Sequence, residues 1–154
     1  MADVIRSHPG VGELRWVEGH SAWEGTVELL SGCPVDFDIV AEAEWANADP
    51  AELFEAAAAF LAWARGFESR IRERVADDLL DLYNRAWADD DPDEGPPPHT
   101  RAEFLAAIRP SGVSLYHTGM SSWGYDAGDL FAGHGIWVVV AGDGSFPGKA
   151  SLVG

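Results

Sequence analysis

"VDFDIVAEAEW", residues 35–45, alternates almost without a break. Asp36, Asp38, Glu42 and Glu44 share one parity; Phe37, Ile39, Ala41, Ala43 and Trp45 share the other. A period of two marks a strand with one buried and one solvated face. The segment therefore reads as a strand whose outward side carries four carboxylates. Side chains two positions apart root about 7 Å from each other, where like charges in water repel by only about 0.6 kcal/mol before screening. A strand tolerates such a row. The row serves as a solvated face, as an edge defended against aggregation, or as a surface for a basic partner. An Asp-x-Asp pair holds a divalent cation only where other ligands converge, and no calcium-loop spacing accompanies this one.

Working outward, residues 12–45 read as a β-meander. "ELRWV" is a strand, "EGHSAWEG" a turn, "TVELL" a second strand and "SGCP" a second turn. Helical signals begin at "NADPAE", with Asp49 as N-cap, Pro50 at the first helical position and Glu52 completing a capping-box-like arrangement. From Leu53 to Ala86 apolar residues recur every three or four positions, one stripe over about nine turns. Gly66 is a point where that helix can kink. "DDDPDEGPPPH", residues 89–99, is an acidic, proline-rich loop by composition. Thr100 and Glu103 form a second capping box, opening a short helix to about Ile108 that Pro110 ends. "GVSLYH" and "SWGYDA" are strands flanking the turn "TGMS". "GIWVVVA" is a continuous apolar run, a strand covered on both faces or central to its sheet. "GDGS" is a hairpin turn and "KASLV" the returning strand. Strands, then helices, then strands gives the α+β class: an antiparallel sheet with one long helix and one short helix packed on one face. The chain reads as a single domain, 1–154, with a flexible N-terminus over residues 1–11.

Composition narrows the function. Hydrophobic residues are 47% and charged residues 23%, which suits a globular chain and not a disordered one. No apolar run approaches a membrane span, and "MADVIRSHPG" lacks the apolar stretch of a secretory signal. Cys33 is the sole cysteine, so no intrachain disulfide forms and the cytoplasm fits best. One cysteine and scattered histidines do not build a structural zinc site; no metal and no cofactor is expected. Ten basic against 26 acidic residues leave a formal net charge of −16. Residues 1–49 carry −8, residues 50–99 carry −7 and the remainder −1. Direct nucleic-acid binding needs a basic footprint and an anionic membrane repels this chain. A basic protein partner is attracted and steered in.

Two further groups carry candidate chemistry. His134 lies between Gly133 and Gly135, directly before an apolar strand. A histidine there can act as a general base with Asp126 or Asp129 orienting it, or can hydrogen-bond the strand's own lead-in. No serine or cysteine nucleophile sits in an elbow motif. Among seven tryptophans, Trp63 and Trp87 fall in the helical region and read as packed. Trp123 and Tyr125 lie by the turn "SSWGYDAGD" and read either as core or as exposed anchors for a partner. The partner-binding set is then Asp36, Asp38, Glu42, Glu44, Asp89, Asp90, Asp91, Trp123 and Tyr125. "GDGSFPGKA" lacks P-loop spacing and "GVG" lacks the third glycine of a dinucleotide fingerprint.

"LLDLYNRAW", "TRAEFLAAI", "DLFAGHGIWVVV" and "ASLVG" together resemble an uncharacterised family of bacterial domains. Its members show a helix ending in Asn-x-x-Trp, a threonine-capped helix with Glu-Phe, a Phe-x-Gly-His lead-in to a strand and an Ala-x-x-x-Gly finish. The resemblance spans about residues 50–154, with Phe131 and His134 matching and Ala132 standing where members often have a bulky aromatic. The family brings no activity with it. Some small bacterial domains of this kind resemble immunity proteins that neutralise toxins. The expectation is a cytoplasmic protein that binds and occludes a basic partner. The alternatives are a small-ligand-binding or hydrolase-like domain centred on His134, and a nucleic-acid mimic whose carboxylates imitate phosphate spacing.

Overall fold

The computed structural model describes residues 4–154. Eight strands form one sheet in sequential order: β1 (Ile5–His8), β2 (Gly12–Val17), β3 (Ala22–Leu30), β4 (Cys33–Val40), β5 (Arg109–Leu115), β6 (Ser121–Asp126), β7 (Gly135–Val140) and β8 (Ser151–Val153). Two helices, α1 (Pro50–Leu82) and α2 (Arg101–Ala107), fall between β4 and β5. The class is α+β. Every pairing is antiparallel except β4–β5, which is parallel because the helical excursion returns the chain in the same direction. Residues 5–8 pair with β2, Ile5 opposite Arg15 and His8 opposite Gly12. Residues 1–3 of the expected flexible N-terminus lie outside the described residues.

Asp49 starts α1 by accepting the Ala51 N–H at 2.9 Å, with Pro50 at the first position. The reciprocal capping box forms at α2, between Thr100 and Glu103, and not at α1. α1 runs for 33 residues and stays helical through Gly66, whose open side a Cβ would leave without contact. Its buried stripe carries Phe54, Ala57, Phe60, Leu61, Ala64 and Ile71 onto one face of the sheet. There Phe54 meets Trp23 edge-on at 5.2 Å, and Phe60 lies 6.3 Å from Phe37 and 6.4 Å from Trp123.

A wider π turn, Tyr83–Trp87, closes α1 and swings Trp87 towards Phe131 and His134. The acidic loop is tied at its ends. The Asp89 N–H donates to Pro96 O, the Tyr83 hydroxyl to Pro97 O, and Asn84 exchanges two hydrogen bonds of 2.9 Å with His99. β5 begins earlier than expected and takes in Pro110, which is buried. β7 is not covered on both faces. Ile136, Val138 and Val140 are buried towards the helices, while Trp137 is 43% exposed on the other side.

Candidate functional site

Because both helices pack on one face, the other face of the sheet is bare, and strand parity decides what stands on it. β2 contributes Glu13 and Arg15, β3 contributes Glu24, Thr26 and Glu28, and β4 contributes Asp36 and Asp38; none of the seven is buried. The register places Arg15 opposite Glu24, Glu24 opposite Asp38, and Thr26 opposite Asp36. Across the parallel seam, Asp38 faces Ser114 and Asp36 faces Gly112. Over β1–β4 the surface is concave, with a volume of about 710 Å³ bounded by Glu13, Arg15, Glu24, Asp36 and Asp38 among others.

Two carboxylates directly opposite on adjacent strands destabilise a sheet. Glu24 and Asp38 are such a pair, only partly relieved. His20 Nδ1 lies 2.6 Å from Glu24 Oε2, and the Ser114 hydroxyl donates to Asp38 Oδ1. Burial raises the Asp38 carboxyl above the usual carboxylate range; the Ser114 hydroxyl opposes this, Glu24 adds to it and His20 subtracts. Asp36 and Glu13 have no hydrogen-bond or ion-pair partner among the described residues.

The sign of the Asp38 shift makes a test. A carboxyl raised on folding opposes folding when ionised, and that opposition is relieved as pH falls through its folded-state titration towards 3.8. Asp38→Asn removes the charge at every pH. The variant should exceed the parent by about 0.5 kcal/mol at pH 7, about 1–2 °C in thermal midpoint. The gap should close below the ordinary aspartate range. A less stable variant at pH 7 would show that the pair is not in conflict.

The expected row of four carboxylates is a row of two. β4 ends at Val40, Ala43 adopts φ 52°, and residues 43–45 form a 3-10 turn leading to α1. Glu42 and Glu44 are exposed but lie off the strand and outside the concavity. Their places are taken by Glu13, Glu24 and Glu28, which sequence reading missed. The signal existed, since Glu24 and Glu28 alternate with Trp23, Val27 and Leu29. The turn-like composition of "EGHSAWEG" masked the start of β3.

The other expected contacts are placed elsewhere. Asp89 and Asp91 cap turns of their own loop by accepting the Asp91 and Asp93 N–H groups. Asp90 is exposed there, and none of the three borders the concavity. Trp123 and Tyr125 are buried, at 0% and 1% exposure, because their parity on β6 points them at α1. Neither offers surface to a partner. The Trp123 indole donates to Ser121 Oγ at 2.9 Å and the Tyr125 hydroxyl to Glu68 Oε1 at 3.0 Å.

His134 is held by its own turn. Nδ1 lies 2.8 Å from Phe131 O, at a corner where Ala132 and Gly133 both have positive φ. Asp126 accepts the Gly128 N–H, and the Asp129 carbonyl accepts the Ala132 N–H. Neither carboxylate is bonded to the imidazole. Among the described residues, no group of three or more His, Cys, Asp or Glu is placed to hold a metal ion. No helix among them is long and apolar enough to cross a membrane.

Three of the four segments that carry the bacterial resemblance meet in one knot of rings. Phe131 sits 5.5 Å from Tyr83, 5.6 Å from Trp87 and 6.3 Å from Phe104, with His134 5.8 Å from Trp87. No curated protein and no solved structure matches the chain. Residues 8–149 match the sequence model of a family described as "Uncharacterized protein conserved in bacteria (DUF2262)". That span takes in β2–β7, both helices and the ring knot, and the chain belongs to this family.

Proposed function

We propose that this chain is a binding protein that takes a basic protein partner on the open face of its sheet, and that it works as an immunity protein does, by occluding a toxin's cationic surface in the cytoplasm. No bond is made or broken. The observation that carries this reading is the register that sets Glu24 against Asp38. Local choices in a folded sequence generally agree with the fold, and conflicts concentrate where function demands them. Asp36 and Glu13, without a partner among the described residues, flank the pair, and residues 1–49 hold −8 of the net charge. A cationic partner converts that repulsion into attraction and is steered in by the same field.

The test replaces Glu13 and Glu24 by Gln and Asp36 and Asp38 by Asn together. Binding of an oligo-arginine peptide is titrated for parent and variant at about 20 and 200 mM salt, since screening weakens exposed charge pairs. The parent should lose about tenfold in affinity between the two salts. The variant should bind at least about tenfold more weakly at low salt, with a flatter salt dependence. Equal affinity and equal salt dependence would remove this face from consideration.

A further inference from the structure

We infer that the partner docks as an extended segment that pairs with β1 as a ninth strand, laying a basic side chain over Ser7 towards Glu13 and an apolar one against Ile5; this rests on the partner reading above and names the form the partner takes. The sheet begins at β1, and among the described residues nothing pairs with its outer edge. Bonded and non-bonded residue pairs alternate along an antiparallel ladder. The Trp16 N–H donates to Val4 O at 2.9 Å, so the bonded pairs are Val4–Trp16, Arg6–Leu14 and His8–Gly12. Ile5 and Ser7 therefore turn their N–H and C=O groups outwards, which is the row of donors and acceptors that an added strand takes up.

This edge is held ready, and its open-face side is undefended. The Arg6 guanidinium lies over Phe54 of α1, 5.8 Å from the ring centroid. His8 Nδ1 accepts the Gly10 N–H at 2.9 Å, so its Nε2–H donates to Glu55 at 2.8 Å. The two long polar side chains of β1 are thus turned to the helix and pin the strand there. On the open face stand Ser7 and Ile5, the latter 49% exposed and bordering the acidic concavity. Soluble proteins ordinarily guard an unpaired edge with charge, proline or a covering segment. Pro9 stops the edge just beyond β1, which limits an added strand to a short stretch beside Val4–His8.

Charge selects the occupant. Paired residues share a face, so the row through Ser7 continues to Glu13 and the row through Ile5 continues to Arg15. A residue opposite Ser7 stands two strand spacings, about 10 Å, from Glu13. The short serine leaves that path open, and an arginine stem and the glutamate bridge it together. Glu13 has no other partner among the described residues. Opposite Ile5, with Arg15 next in the row, an uncharged β-branched residue packs best. In the antiparallel sense the segment then reads basic-x-apolar. A second copy of this chain lacks the required cation, since β1 carries only Ile5 and Ser7 on that parity, and each chain bears −16.

The probe is the capped peptide Thr-Arg-Thr-Val-Thr, titrated into the full chain and followed through amide chemical shifts. Those of Ile5 and Ser7 should move most. N-methylation at arginine and valine blocks the peptide edge that meets β1 and should weaken binding at least about tenfold; N-methylation at the two threonines flanking arginine blocks the outer edge and should change affinity by no more than about twofold. Ser7→Pro removes an N–H that β2 does not use, so the variant should melt close to the parent yet bind at least about tenfold more weakly. Glu13→Gln should erase the preference for this peptide over one with glutamine in place of arginine. The methylated peptides need no variant, so they decide the matter even where proline disturbs the fold. If both bind as the unmodified peptide does, the inference fails, and the partner reading survives provided the four-carboxylate variant still loses affinity for oligo-arginine. If that variant also binds unchanged, both fall. A parent chain that sediments as a dimer and is made monomeric by Ser7→Pro would assign the edge to a second copy and overturn the inference.

Discussion

Arg72→Ala is expected to lower the free energy of unfolding by about 3 kcal/mol, read from urea denaturation. Glu68 is the one acidic side chain buried among the described residues, at 4% exposure on the sheet-facing stripe of α1. A single oxygen, Oε1, accepts from Arg72 Nε at 3.0 Å, from Arg72 Nη2 at 2.9 Å and from the Tyr125 hydroxyl at 3.0 Å. Burial, then the adjacent carboxylate, pushes the Tyr125 phenol far up, so it stays protonated and donates. Arg72 also reaches the Leu105 carbonyl at 3.4 Å, tying α2 to α1. Removing one partner of a buried pair strands the other, typically at about 3–5 kcal/mol. The Arg72 side chain is 25% exposed, which sets the lower end of that range. Replacing both, Glu68→Leu with Arg72→Met, should cost less than Arg72→Ala alone, because no charge is left buried. A loss under about 1 kcal/mol for the single variant would show that solvent reaches Glu68 freely.

Phe131→Ala should be as damaging, at about 3–5 kcal/mol. Phe131 is fully buried, and three rings converge on it, Tyr83 and Trp87 from the π turn and Phe104 from α2. Alanine leaves a cavity that helices on separate backbone segments cannot all collapse into, and forfeits edge-to-face contacts worth about 0.5–1.5 kcal/mol apiece. Phe131→Leu, nearer in volume, should lose about half as much or less. Chemical denaturation followed by tryptophan fluorescence separates the two. Equal losses for the alanine and leucine variants would mean that the rings do not pack as one unit.

Much of this was legible in the residues, for reasons that differ by element. The Phe37–Ile39 alternation, the Asp49–Pro50 start and the Thr100–Glu103 box are local signals, and each local signal settled a local structure. Parity alone does not say where a strand stops. The pattern through Ala41 and Ala43 continues on paper, but Ala43 takes a left-handed backbone and the chain turns away. β1 has four residues with no apolar alternation, so only its partner β2 reveals it. Trp123 and Tyr125 sit near glycines that suggest a surface turn, yet their facing is fixed by β6 packing under α1. The acidic face was half-visible: β4 announced it, whereas the opposition of Glu24 to Asp38 is a matter of register, which no single strand encodes.

The parallel β4–β5 contact has a consequence for how the molecule holds itself together. Hairpins and short links stitch the remaining neighbours, but Asp38 and Ser114 stand 76 residues apart along the chain. Such a joint forms only once a long excursion has been closed, which costs the chain loop entropy that the hairpins do not. The acidic concavity is bounded by β1–β4 and so lies to one side of that joint. A segment lying across β4 and β5 would therefore be a splint as well as a guest, bracing a seam that the chain itself closes only over a long loop.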